Sequence, residues 1–167
     1  MTTIVPKNCP STENLSSVQA IKDALLSLNY PILALNASNK SISTAIEVNG
    51  RKYAVLIDIN DDGTAARIEA KIGQAGDLPE DVASLATIAL SLLSLNGQIT
   101  PFAIAIYPAD NADESPLTLV DEIPLGDLST GELESAMMSC RRALLLVSAS
   151  LKTPGSCGAG CGCSGPQ

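Results

Sequence analysis

The chain contains no histidine and no tryptophan, and one phenylalanine and three tyrosines are its whole aromatic complement in 167 residues. Without histidine there is no imidazole base, no imidazole metal ligand and no Ser–His or Cys–His nucleophile. The expectation is therefore a protein that is not an enzyme. So few aromatics offer no stacking platform for bases. Cations are scarce too: 10 Lys and Arg stand against 18 Asp and Glu, a net charge of −8. That balance repels nucleic acid and anionic lipid and suits partners that are neutral or basic. Long apolar runs are also missing. The longest, "VASLATIALSLLSL" at Val82–Leu95, is interrupted by Ser and Thr and stops at Asn96-Gly97. It is too short to span a bilayer and reads as a buried helix, one expected to lie across a sheet or in a dimer interface. The opening "MTTIVPKNCPSTENLSS" has no apolar segment of the secretory kind. The expectation is a cytoplasmic protein, off the membrane, with its thiols reduced.

What is present is mostly aliphatic, 46% hydrophobic residues with hardly any rings. Leu15, Val18, Ile21, Leu25 and Leu28 form one stripe at helical spacing, which predicts a first helix over residues 14–29 with a cap among Ser11 to Asn14. Four strand patterns follow: "PILALNA", "SISTAIEV", "KYAVLIDI" and "AARIEAKIG". Asn49-Gly50 predicts a tight I′ hairpin between the second and third, and "NDDGT" predicts a turn before the fourth. A second helix is predicted to start at Asp77, with Glu80 completing a capping box. "PFAIAIYP" and "PLTLVDEIPL" read as two more strands, joined by the polar loop "ADNADES" that carries Asp110, Asp113 and Glu114. Pro108, Pro116 and Pro124 mark the strand ends. A last helix runs from Asp127 to Lys152, capped by Ser129 with Glu132. The order α-β-β-β-β-α-β-β-α predicts an α+β fold, an antiparallel sheet with three helices. The organisation expected is an N-terminal segment over 1–13, one domain over 14–152, and a flexible Cys/Gly-rich tail over 153–167.

This order resembles the YbjN and type III secretion chaperone-like superfamily over residues 14–152. The likeness is carried by Leu95-Asn96 at the end of a helix, the strand Phe102–Tyr107, the Leu-rich strand Leu117–Leu125, and the link into the helix from Thr130. The resemblance implies a chaperone-like, often dimeric, non-enzymatic module that binds another polypeptide.

The tail "PGSCGAGCGCSGPQ" is no part of that pattern. It is uncharged and holds Cys157, Cys161 and Cys163 in C-x3-C-x-C spacing. Thiolates there are candidate ligands for Cu(I), Zn(II) or an iron–sulfur cluster, and Cys9 or a second chain is a candidate fourth ligand for a tetrahedral site. A second reading takes the domain as a leader and the Cys/Gly/Ser tail as the core of a ribosomally made, modified peptide, with a modifying enzyme as partner. An inert tail is the third. Three lesser features belong to the body. Cys140 lies on the apolar stripe of the last helix and reads as a core residue. Asp58, Asn60, Asp62, Gly63 and Glu69 match the spacing of a calcium loop, but their flanks read as strands, so a plain turn explains them better. Arg141-Arg142 reads first as a solvated helix face and second as a contact for an acidic partner.

Overall fold

The computed structural model describes residues 17–126 and 128–150. Helix α1 spans Val18–Ser27; strands β1 Ile32–Asn36, β2 Ser41–Val48, β3 Arg51–Ile59 and β4 Ala65–Gln74 follow. Helix α2 covers Val82–Asn96, β5 Ala103–Ile106, β6 Pro116–Pro124 and α3 Thr130–Ser150. The α+β expectation holds, with all three helices and all six strands in the predicted order.

The strands form one antiparallel sheet in the order β1-β2-β3-β4-β6-β5. Strands β1 to β4 are a meander, as the turn signals require. Asn49 and Gly50 both adopt positive φ, 52° and 77°, so the I′ hairpin forms where Asn-Gly stands. Between β3 and β4 the Asn60 carboxamide oxygen accepts the N–H groups of Thr64 and Ala65. Strand β6 then inserts beside β4 and leaves β5 at the edge.

The core lies on one face. Ile42, Ile46, Val55, Ile57, Ile68 and Leu119 point inward at alternate positions, the period of two that a half-covered sheet demands. Ile21 and Leu25 of α1, and Leu133, Met137, Cys140 and Leu144 of α3, close over them.

Two expectations about helix starts are corrected. The cap of α1 is Ser17, whose hydroxyl accepts from Ala20 N–H at 3.2 Å, later than the Ser11–Asn14 cap expected. Helix α2 begins after Asp81, whose carboxylate accepts from Ser84 N–H at 2.8 Å. Asp77 instead accepts from Gln74 N–H within a 3-10 turn at Ala75–Asp77. The reason is Pro79: it drives Leu78 into extended backbone (φ −84°, ψ 152°), so no helix runs through Leu78 to link Asp77 and Glu80. The box at α3 forms as predicted, with Ser129 N–H donating to Glu132 Oε2 at 2.8 Å and Glu132 N–H to Ser129 Oγ at 3.3 Å.

Candidate polypeptide-binding groove

Helix α2 is the element whose surroundings differ most from expectation. Its fifteen residues carry no charge, yet Leu92 and Leu95 are its only buried residues. Val82 is 81% exposed, Leu90 68% and Leu93 66%. At 3.6 residues per turn, Ile88 and Leu95 fall toward the core, Leu85, Ala89, Leu92 and Asn96 toward β5, and Val82, Leu90 and Leu93 outward. The helix is apolar all round, but in a single chain only one side of it is covered. A reading of uniform apolarity as full burial is thereby corrected.

Between α2 and the sheet lies a groove of about 390 Å³. Leu85, Ile88, Ala89, Leu92 and Leu93 form one wall; Ile104 and Ile106 of β5 and Leu117 of β6 form the other; Leu78 closes one end. Asn96 is the one polar residue in this lining, and its side-chain oxygen accepts the N–H of Ile104 at 2.8 Å. Ile106 is 51% exposed at the mouth. Such an aliphatic concavity, rimmed by more exposed aliphatics, is the kind of surface that marks an interaction site on a soluble domain. Its chemistry is burial; there is no nucleophile, base or ligand set in it.

Two acidic loops meet at the Leu78 end. The turn Ala75–Asp77 packs on a second 3-10 turn, Ala112–Glu114, and Ala75 N–H donates to Ser115 O at 2.9 Å. A Cβ placed on Gly76 would stand 3.0 Å from the carbonyl oxygen of Asp113, tighter than a side-chain carbon ordinarily approaches, so a larger residue there would require the neighbouring turn to give way. The polar Asp110–Glu114 loop, exposed as it is, is therefore held beside the approach to α2.

The sequence-derived candidates fall elsewhere. Cys157, Cys161, Cys163 and Cys9 lie outside the described residues. Cys140 is fully buried on the core face of α3, where desolvation, reinforced by the Asp121 carboxylate, pushes its thiol up to about 12. Asp121 sits on the core face of β6, opposite Ile68. Its Oδ1 accepts from Glu122 N–H, while its buried Oδ2 has no partner, and burial raises its pKa. The calcium-like spacing forms no ion cage. Asp58 pairs across strands with Arg67, Asp62 accepts from Thr64 N–H and Oγ1, and Glu69 binds Arg67 Nε at 2.7 Å. Among the described residues no group of three or more Cys, Asp or Glu is placed to hold a metal. Arg141 is exposed and borders a polar cavity of about 420 Å³ at the far edge of the sheet, with Lys52, Glu47, Leu33 and Tyr30. Burial raises the Tyr30 pKa, and Arg141 opposes that rise. Among the described residues no helix is long and apolar enough to cross a membrane. The groove was half visible in the sequence: the apolar second helix was singled out, but its partner strand and its open side were not.

No family model matches the chain, and no curated protein matches it. Solved structures do. YbjN from E. coli superposes with a TM-score of 0.56 at 9% identity, covering 80% of this chain and 92% of that one. The HopA1-SchA chaperone-effector complex matches with a TM-score of 0.49 at 12% identity, covering 82% and 91%. The ExsC-ExsE complex follows at 0.47 and 12% identity, covering 86% and 92%. The fold assignment rests on YbjN: this chain has a YbjN-type α+β fold, as the resemblance in the sequence implied.

Proposed function

We propose that this chain is a non-enzymatic, chaperone- or adaptor-like module that binds another polypeptide, and that the groove between α2 and β5 is where it does so. The observation that carries the reading is the pairing of an uncharged fifteen-residue helix, open on its outer side, with a 390 Å³ groove whose other wall is the aliphatic edge of the sheet. Filling it with aliphatic side chains removes apolar surface from water on both partners, worth about 25 cal/mol per Å² before the costs of association. The missing histidine, the buried Cys140 and the scattered carboxylates support a binding role over catalysis.

Selection of a random-peptide library on the full chain tests this. Wild type should enrich sequences with regularly spaced Leu, Ile, Val or Met, and Ile106→Glu and Leu93→Glu should lose them. Enrichment unchanged by both substitutions overturns the site. Light scattering addresses a second copy as occupant. A dimer dissociated by Leu90→Glu assigns the α2 face to a homodimer instead.

For the tail, the C-x3-C-x-C spacing of Cys157, Cys161 and Cys163 supports thiolate binding of Cu(I), Zn(II) or an iron–sulfur cluster. The neutral Gly/Ser/Cys composition supports the other reading, a core worked on by a modifying enzyme. Metal content after anaerobic purification, compared with the triple Cys→Ser variant, tests the first. Intact mass of the natively isolated chain tests the second.

A further inference from the structure

We infer that the partner taken by this groove is a basic amphipathic helix, its aliphatic stripe against α2 and β5 and its Lys or Arg residues over the acidic loops at the Leu78 end. The inference rests on the groove being a polypeptide site and names the class of polypeptide.

Charge supplies the first argument. Asp77, Glu80 and Asp81 precede α2, and the packed turn beside them brings Asp110, Asp113 and Glu114 to the same end. All six are exposed. Three already hold local contacts: Asp77 with Gln74 N–H, Asp81 with Ser84 N–H, and Glu114 with Asn111 Nδ2. These are contacts with neutral donors, so the negative charge stays uncompensated. Among the described residues the one ion pair is Arg67–Glu69, and it involves none of the six. Arg51 is a cation beside them; it shares a cavity wall with Asp77 and Leu78 and stacks on Tyr53 at 4.9 Å from the ring centroid. Six exposed carboxylates, none in that ion pair, make this end attractive to cations, while the groove itself is uncharged.

Backbone accounting supplies the second. An extended peptide needs partners for its own N–H and C=O groups, and each one buried without a partner weakens binding. This groove has little to give. Asn96 is its one polar side chain, and its oxygen is occupied by Ile104 N–H. Strand β5 is four residues long, and that same contact caps one of its amides, so strand addition finds a short, partly closed edge. A helix satisfies its own backbone and offers side chains at i, i+3, i+4 and i+7 to a concave aliphatic wall.

Fluorescence anisotropy with the full chain and three synthetic helical peptides tests it. The peptides share one Leu stripe and carry Lys, Gln or Glu at the end expected over the loops. The Lys peptide should bind about tenfold tighter than the Glu peptide at low salt, and the gap should shrink as ionic strength rises. Asp110→Asn, Asp113→Asn and Glu114→Gln together should at least halve the preference on a logarithmic scale while leaving Gln-peptide binding in place. Equal binding of the Lys and Glu peptides overturns the basic partner and leaves the groove standing. Failure of all three peptides to bind, with wild type monomeric by light scattering, overturns the groove itself. A dimer whose dissociation by Leu90→Glu is needed before any peptide binds overturns the inference in favour of a second copy.

Discussion

The side-chain oxygen of Asn96, the last residue of α2, accepts the backbone N–H of Ile104 on β5 at 2.8 Å. This hydrogen bond ties the two walls of the groove together at the end opposite Leu78 and covers an edge amide that β6 cannot reach. Asn96→Ala leaves that part-buried amide without its partner, at a cost of about 1 kcal/mol. Hydrogen exchange should show the Ile104 amide losing protection while the amides of β2 and β3 keep theirs. Unchanged protection at Ile104 would refute the tie.

Exposed and buried aliphatics should behave oppositely. Ile68 is fully buried at the centre of the sheet, and Ile68→Ala should cost about 2–5 kcal/mol in urea unfolding. Leu93 is mostly exposed, and Leu93→Glu should change stability by no more than about 0.5 kcal/mol. A large loss for Leu93→Glu would mean that α2 is covered in the native protein, as it would be by a second copy.

The Asp121 carboxylate, with its Oδ2 buried and unpartnered, sits on the core face at an energetic disadvantage. Its pKa is raised in the folded state, so the native protein holds this proton more tightly than the unfolded chain. Its contribution to stability falls as pH rises from the ordinary aspartate range through the raised value. Asp121→Asn should therefore stabilise at neutral pH and give progressively less benefit as pH drops, with none left below the ordinary aspartate range. Chemical denaturation across pH measures this; a benefit that grows on acidification would contradict it.

Cys140 is buried and its thiol is pushed up to about 12, so almost no thiolate exists at neutral pH. Site-resolved mass spectrometry after brief alkylation should find Cys140 unlabelled in the folded protein and labelled in denaturant. Rapid native labelling would show that α3 does not pack as described.

The local rules carried most of the architecture. Asn49-Gly50 specifies its hairpin because both residues tolerate positive φ. The alternation through Arg67, Ile68, Glu69 and Ala70 specifies the inner face of β4. Ser129 and Glu132 specify a helix start. What escaped the sequence was set by long-range contact. Nothing local says that β6 enters beside β4 and leaves β5 at the edge, so the second wall of the groove could not be foreseen. An all-apolar helix has no phase to read, which is why Leu90 and Leu93 gave no sign of facing outward. Asp121 was hidden for a related reason: it takes an inward position in a strand whose register comes from pairing with β4.

The central claim, that the α2–β5 groove takes a polypeptide, is tested most directly by methyl NMR of the full chain titrated with the Lys-bearing helical peptide. Shifts should be confined to Leu85, Ile88, Leu92, Leu93, Ile104 and Ile106, with the exposed Leu33, Leu35 and Leu56 across the sheet unmoved. Shifts centred on Leu33 and Leu35, or none in the groove at saturating peptide, would contradict it.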